Sequence, residues 1–212
     1  MTRLVIVRHG NTFEAGEPPR RIGARTDLPL TAAGVAQAEA LGRHFAANGV
    51  RFDRVLSSDL KRTRATAEAI AGTAPEIEIA PFLIEIDHGP DEGKSEADIV
   101  ARLGSDAVEK WETEWIAPEG WDVGAEWRLP AWREFAGRMA TELPDGTILL
   151  VTSNGSARFA LAALGLKTGD KHGSVKLRTG SYGLVEIGSG ADFRLLGWNM
   201  RPGETPGDTG LF

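Results

Sequence analysis

The chain has 212 residues, of which 42% are hydrophobic and 25% charged, an ordinary balance for one globular domain. Its formal net charge of -6 argues against nucleic acid and anionic membranes as partners, so an anionic ligand needs a local basic pocket. The absence of cysteine excludes disulfides, thiolate metal sites and cysteine nucleophiles. The apolar run at residues 4–7 is too short for a signal-peptide core, and no stretch approaches the ~20 apolar residues of a membrane span. We therefore expect a cytoplasmic protein with a single domain over residues 1–212.

Short apolar runs, rich in β-branched residues, predict six strands. They lie at residues 4–7, 54–57, 77–79, 147–152, 182–187 and 193–198. Strands that alternate with helical patterns favour a parallel arrangement, and the last two runs are interpreted as a terminal pair. The sequence thus predicts a three-layer α/β/α sandwich with a mainly parallel sheet.

Helical patterns fill the intervals between these strands. The first helix begins near Thr31, and its apolar face is formed by Val35, Ala38, Leu41 and Phe45. The second is expected to be capped by Ser58 or Asp59 and to end near Gly72. The third follows the strand at 147–152 and places Ala157, Leu161 and Leu164 on one face.

Residues 87–132 are less regular, and they hold five of the six tryptophans. Glycine and proline interrupt this stretch, so we interpret it as an insertion or lid, with some helix, over one end of the sheet. Trp121 and Trp127 are candidates for the substrate entrance. The Gly- and Pro-rich tail at 201–212 is expected to be loose.

Polar groups follow three of the predicted strands directly, at residues 8–12, 57–62 and 152–156. Because the carboxyl ends of parallel strands meet at one edge of a sheet, these groups are expected to converge where open α/β folds bind ligands. Arg8 and Arg62 suit bidentate recognition of phosphate, and Arg62 lies in the first turn of a helix, which favours anions. A neutral imidazole of His9 beside them can attack phosphorus and carry the phosphoryl group. No metal is required if these cations stabilise the charge, and the sequence lacks H-E-x-x-H and EF-hand patterns.

A series of motifs extends over most of the chain. They are Arg8-His9-Gly10 with Thr12, residues 27–34, residues 57–60 with Arg62, Leu83-Ile84-Glu85 with Gly89, Val151-Thr152-Ser153 with Gly155, and Leu196 with Trp198 and Asn199. In this order the motifs resemble those of the histidine phosphatase superfamily, whose members are phosphoglycerate mutase-like. The resemblance implies that His9 is the nucleophile, that Arg8 and Arg62 bind the phosphoryl group, and that Glu85 is the proton donor and then the base for water. It also implies that Asn11, Thr12 and Gly155 line the phosphate pocket and that no cofactor is used.

Asn154 stands where the family pattern has a second catalytic histidine. An amide still donates a hydrogen bond but brings no positive charge, and losing one preorganised donor costs roughly 10²–10³ in rate. Among the other histidines, His88 is the candidate to face the substrate because it follows Glu85 by three residues. His44 and His172 are interpreted as residues of a helix surface and a surface loop.

The leading prediction is a metal-independent phosphomonoesterase that acts through a phosphohistidine on a small phosphate ester. A phosphatase is favoured because related mutases carry longer chains and extra basic segments, whereas residues 87–132 are rich in Trp and Glu. Two alternatives stay open: a mutase-type phosphotransferase, and a weak or inactive phosphate-ester-binding protein because of Asn154. Arg20, Arg21 and Arg25 either contact an anionic substrate or lie in a solvated loop. The sequence leaves the substrate and the oligomeric state, a homodimer included, undetermined.

Overall fold

The computed structural model describes residues 1–72, 75–168, 174–188 and 192–203. Within these ranges one six-stranded sheet is formed by β1 (Thr2–Arg8), β2 (Arg54–Ser57), β3 (Ile77–Ile79), β4 (Thr147–Thr152), β5 (Tyr182–Ile187) and β6 (Phe193–Met200). The α-helices of the same ranges are α1 (Ala32–Ala47), α2 (Lys61–Ala71), α3 (Glu96–Leu103), α4 (Ser105–Glu114), α5 (Ala125–Glu142) and α6 (Asn154–Ala163). Two short 3-10 turns, Pro81–Leu83 and Gly89–Asp91, lie between β3 and α3. All six predicted strands are confirmed.

The strands are arranged in the order β3-β2-β4-β1-β5-β6. The four strands β1 to β4 run parallel to one another, and β5 is antiparallel to both β1 and β6. The mainly parallel sheet predicted from the alternation of strands and helices is therefore confirmed. This order places β1 in the interior of the sheet, so the residues that follow it lie near the ends of β4 and β2.

Two separate cores lie on the two faces of the sheet, because successive residues of a strand point to opposite sides. Leu4 and Ile6 of β1 pack with residues of α5 and α6, whereas Val5 and Val7 pack with residues of α1 and α2. All four of these side chains are fully buried. The three-layer α/β/α sandwich is thus confirmed, and its buried strand β1 forms a rigid support for the residues at its end.

Two local predictions on α1 and α2 are wrong. Val35 is 41% exposed, because the buried face of α1 is formed by Gly34, Ala38, Leu41 and Phe45. Neither Ser58 nor Asp59 caps α2: Leu60 occupies the capping position and makes no side-chain cap. The Asp27 carboxylate instead accepts the Lys61 backbone N–H at 2.7 Å. A residue distant in sequence therefore accepts the hydrogen bond from the backbone N–H at the start of the helix that carries Arg62.

The tryptophan-rich stretch contains α3, α4 and the beginning of α5. Ser95 and Asp98 form a reciprocal capping box at the start of α3. Trp111, Trp121 and Trp132 are buried in the core on the α5–α6 face of the sheet, and Trp127 is 41% exposed. None of the helices in the described ranges combines the length and apolar character needed to cross a membrane. His172 and most of the tail, residues 204–212, lie outside the described residues.

Candidate active site

A cavity of about 570 Å³ lies at the carboxyl ends of β1 and β4. Its volume falls in the range of sites that bind small molecules. The predicted site residues that line it are Arg8, His9, Asn11, Thr12, Glu85, His88, Asn154 and Gly155. Arg62 is fully buried and is not among the lining residues. The convergence predicted from a parallel sheet is thus found for the groups that follow β1 and β4, whereas no residue of 57–62 lines the cavity.

His9 follows β1 directly, and its backbone N–H continues the sheet pattern by donating to the Thr152 carbonyl at 3.1 Å. Its ring Nδ1 lies 2.8 Å from the Gly10 carbonyl oxygen. A carbonyl only accepts, so Nδ1 carries the proton and Nε2 keeps a free lone pair. Burial, together with the charges of Arg62 and Arg8, holds the pKa of His9 well below its usual range. The imidazole is therefore neutral near pH 7, with an unprotonated Nε2.

Arg8 and Arg62 are held by main-chain carbonyls. Arg8 donates to the Leu177 carbonyl at 2.6 Å, and Arg62 donates to the carbonyls of Thr26 at 2.6 Å and Gly23 at 3.0 Å. The Nε atoms of both arginines are buried and have no hydrogen-bond partner in the described part of the chain. Burial lowers the pKa of each guanidinium, and the Glu85 carboxylate opposes that effect. Two fixed cations with unused donors beside a neutral imidazole form a site suited to a tetrahedral oxyanion.

Glu85 lies just beyond the 3-10 turn Pro81–Leu83, and the carbonyls of this segment are held from three sides. The Ser156 hydroxyl donates to the Phe82 carbonyl at 2.7 Å, and the Thr152 hydroxyl donates to the Leu83 carbonyl. The buried Arg128 side chain donates to the carbonyls of Phe82 and Ile84. Burial lowers the pKa of Arg128 to about 10, against the opposing effect of Glu85. Helices α5 and α6 and strand β4 thus fix the segment that carries this carboxyl group.

The Glu85 carboxylate lies against the first turn of α6. Its Oε2 accepts the Gly155 N–H at 3.2 Å, and its Oε1 accepts the N–H of Ile86 at 2.9 Å. A Cβ atom added to Gly155 would lie 2.1 Å from Oε1. Glycine at position 155 is therefore required by the close approach of the carboxylate, which remains at the cavity wall with little freedom to move.

Asn154 is the first residue of α6 and also lines the cavity. Its Oδ1 accepts the Leu177 backbone N–H at 2.9 Å, which fixes the orientation of the amide. The Nδ2 group makes no hydrogen bond with the residues that the structure describes. Nδ2 is consequently the atom of Asn154 that is free to donate to a ligand, beside the positive end of the α6 dipole.

Asn11 and Thr12 line the cavity, as the resemblance implied. The Asn11 backbone N–H donates to Gln37 Oε1 at 2.9 Å, so it is not free for phosphate. The Asn11 Oδ1 accepts the Thr179 hydroxyl, which leaves its Nδ2 as the donor. Thr12 is half-buried. The pocket is therefore shaped here by side chains rather than by a loop of free backbone amides.

His88 lies in the cavity wall, 5% exposed, with the edge of its ring toward Trp121 at 4.6 Å between centroids. Its Nδ1 is buried without a hydrogen bond in the described residues and lies 3.8 Å from Glu92 Oε1. Burial lowers the pKa of His88, whereas the charges of Glu85 and Glu92 raise it. The structure therefore brings His88 to the cavity as predicted, as a mainly apolar wall residue packed on Trp121.

The outer wall holds residues that the sequence reasoning missed: Trp111, Glu112, Arg158 and Lys176. Arg20 and Arg21 also line the cavity, whereas Arg25 pairs with Asp87 at 2.9 Å. Neither Trp121 nor Trp127 is among the lining residues. Arg158 was detectable in principle, because it follows Asn154 by four residues and interrupts the otherwise apolar run of α6.

The described ranges contain no group of three or more His, Asp or Glu side chains placed to hold a metal ion.

Comparison with known proteins places this geometry in context. The family model of the histidine phosphatase superfamily (branch 1) matches residues 4–201. A Salmonella paratyphi A protein named probable phosphoglycerate mutase GpmB is 31% identical over 219 residues, covering 98% of this chain and 94% of that protein. Two solved structures have the same fold. A mycobacterial glucosyl-3-phosphoglycerate phosphatase is 24% identical with a TM-score of 0.77, over 94% of this chain and 99% of its own. The alpha-ribazole phosphatase of Shigella flexneri is 25% identical with a TM-score of 0.73, over 94% and 96%. With a family match that extends over nearly its whole length, this chain belongs to the histidine phosphatase superfamily.

Proposed function

We propose that the protein is a phosphomonoesterase that hydrolyses a small phosphate ester through a phosphohistidine at His9, without a metal ion. The observation that carries the proposal is the state of His9. Its Nδ1 is bound to the Gly10 carbonyl at 2.8 Å, and its pKa is lowered by burial and two arginines, so Nε2 is an unprotonated nucleophile. Membership of a superfamily that includes phosphatases supports the same reaction class.

In the first step, His9 Nε2 attacks the phosphorus atom in line with the ester oxygen. The N–P bond forms as the P–O bond to the leaving group breaks, and the Glu85 carboxylic acid gives its proton to the departing oxygen. Arg8, in the cavity wall, stabilises the phosphoryl oxygens through its unpartnered Nε donor, and the buried charge of Arg62 near His9 adds to the positive potential of the site. The products of this step are the free alcohol, a phosphohistidine and the Glu85 carboxylate.

In the second step, water attacks the phosphohistidine. The Glu85 carboxylate takes a proton from that water, the N–P bond breaks, and the electron pair returns to Nε2 of His9. Inorganic phosphate leaves, and both residues regain their starting protonation states. The contact of Glu85 with the Gly155 N–H keeps the carboxylate in one place through both half-reactions.

In this proposal Asn154 takes the role of the second catalytic histidine of the family, which is to donate a hydrogen bond to the phosphoryl group. Its amide orientation, fixed by the Leu177 N–H, leaves Nδ2 to donate to a phosphoryl oxygen. A neutral donor stabilises the developing charge less than a charged one, so we expect slow but real turnover.

The direct test is turnover of p-nitrophenyl phosphate in the presence of a chelator, with capture of the phosphoenzyme. The proposal predicts turnover that persists in EDTA, an alkali-stable and acid-labile phosphoenzyme, and loss of both in His9→Gln. The matched control is His44→Gln, because His44 lies outside the cavity beside Tyr182 and glutamine retains a polar group there. Activity that survives in His9→Gln, or no turnover and no phosphoenzyme between pH 4 and pH 8, would contradict the proposal.

A mutase-type phosphotransferase is the second candidate, and the names of the curated relatives favour it. The two activities differ in which molecule accepts the phosphoryl group. With labelled 3-phosphoglycerate, a mutase forms the 2-phospho isomer, whereas a phosphatase releases inorganic phosphate. A silent binding protein, which Asn154 favours, would bind phosphate esters and give neither product.

A further inference from the structure

The outer wall of the cavity gathers three cations around a single carboxylate. Glu112 of α4 lies 3.0 Å from Lys176 Nζ, 3.3 Å from Arg158 NH1 and 3.5 Å from Arg21 NH2. The three cations come from different parts of the chain: the loop before α1, helix α6 and the segment before β5. All of them line the same cavity as His9, and we call Arg21, Arg158 and Lys176 the outer cation cluster.

Arg158 is the most constrained member of the outer cation cluster. It is 1% exposed, and its guanidinium lies over the rings of Trp111 at 4.8 Å and Trp115 at 4.7 Å. Its NH2 donates to the carbonyls of Trp111 at 3.0 Å and Glu112 at 3.3 Å. Its Nε is buried and has no hydrogen-bond partner in the described ranges. A buried cation with an unused donor is only partly compensated, which favours a further anion nearby.

The charges at this wall of the cavity also favour the binding of an anion. Among the described residues, Glu112 and Glu96 are the carboxylates that form ion pairs with the outer cation cluster. Glu96 pairs with Arg21 at 3.2 Å, and Glu85 acts on Arg158 at longer range. The three cations therefore outnumber the two carboxylates paired with them, although the whole chain carries a net charge of -6. Such a local excess attracts an anion from solution into the cavity.

We propose that the outer cation cluster binds a second anionic group, a carboxylate or a phosphate, at the end of the substrate remote from the transferred phosphoryl group. Glu112 is the internal anion with which that group competes for the cations. The inference rests on the proposed function, because it names the class of ester that the His9 site hydrolyses. The cavity volume of about 570 Å³ leaves room for such an extended substrate.

Glu112→Gln separates this role from a purely structural one. Removing the carboxylate leaves the cations free, so the affinity for an ester with a second anionic group rises while that for an ester with a neutral end does not change. If Glu112 only holds α4 in place, the variant instead weakens the binding of both kinds of ester. Lys176→Gln has the opposite expected effect to Glu112→Gln, because it removes half-exposed charge from the cluster without disturbing the buried Arg158.

The experiment compares two matched pairs of esters that differ only in a carboxylate against a hydroxymethyl group. The three-carbon pair is 3-phosphoglycerate and glycerol 3-phosphate, and the six-carbon pair is 6-phosphogluconate and sorbitol 6-phosphate. We expect the wild-type kcat/KM to favour the carboxylate in at least one pair by about tenfold, the value of one charge-assisted hydrogen bond. Bisphosphates that inhibit more strongly than the carboxylates would identify phosphate as the second group. The matched controls are Glu39→Gln and Arg43→Gln, an exposed ion pair on α1 outside the cavity.

Ratios near one in both pairs, or a ratio that Lys176→Gln and Glu112→Gln leave unchanged, would overturn the subsite. Calorimetric titration of the four esters into His9→Ala tests it without turnover. A carboxylate preference in Kd with no hydrolysis by wild type contradicts the proposed function and supports the subsite. Hydrolysis without any preference contradicts the subsite and supports the proposed function.

Discussion

Replacement of Asn154 by aspartate tests whether this side chain touches the transferring phosphoryl group. Aspartate has the same shape, and one of its oxygens can still accept the Leu177 N–H that now lies 2.9 Å from Asn154 Oδ1. The other oxygen takes the place of Nδ2, so a donor at the cavity wall becomes an acceptor. The substitution also adds a negative charge, so it removes a donor and introduces repulsion toward the phosphoryl oxygens.

The loss of one preorganised donor sets the smallest effect to expect, and the added negative charge increases it. Removing such a donor costs about 2.7–4 kcal/mol of transition-state stabilisation, so kcat/KM for p-nitrophenyl phosphate is expected to fall by roughly 10²–10³ or more. The free energy of unfolding, measured in urea, is expected to change by less than about 0.5 kcal/mol because the hydrogen bond to Leu177 is kept.

The converse change is Asn154→His. Its imidazole can turn away from the Leu177 N–H and, when protonated at both nitrogens, present a charged N–H donor to the cavity in place of a neutral one. We expect kcat/KM to rise by about tenfold. A value within threefold of wild type for Asn154→Asp would refute the reasoning, since Nδ2 would then make no contact with the reacting group.

Three further predictions test how the site is held. Gly155→Ala should lower kcat by about tenfold or more, because its Cβ would lie 2.1 Å from Glu85 Oε1, whereas Gly137→Ala, with nothing within 4 Å, should leave kcat unchanged in steady-state assays. Arg128→Met should lower the free energy of unfolding by about 3 kcal/mol in urea titrations, because it leaves buried carbonyls unpaired. The lowered pKa of His9 means that the unfolded chain binds more protons, so this contribution to stability is complete above pH ~6.5 and is lost as the pH falls toward the folded pKa. His9→Asn should therefore flatten the decline in unfolding free energy between pH 6.5 and pH 5, and an unchanged slope would contradict the assignment.

The strand pattern and the rim of the sheet were predictable from sequence because they depend on local signals. Buried parallel strands appear as continuous apolar runs, and the polar residues that follow each run must lie at the same edge. His9 and Asn154 are placed in this way, one after β1 and the other after β4. The prediction needed no knowledge of the loops.

The cap of α2 and the outer wall of the cavity were not predictable because they depend on contacts between distant segments. Asp27 reaches the Lys61 N–H across 34 positions, and nothing near Lys61 indicates this. The ion pair between Glu112 and Lys176 likewise joins two segments that are distant in sequence. Local capping preferences favoured Ser58 and Asp59, and tertiary structure supplied a different acceptor.

The hydrogen bond from His9 Nδ1 to the carbonyl of the next residue selects the tautomer of the ring without a side-chain partner. No side chain from α3 or α4 is required to select its tautomer, whereas those helices supply Glu96 and Glu112 at the opposite wall. Exchange of residues 95–115 between relatives should therefore alter ester preference, through Glu96 and Glu112, and leave the proposed phosphorylation of His9 intact. Chemistry and selectivity are in this sense encoded by separable parts of one chain.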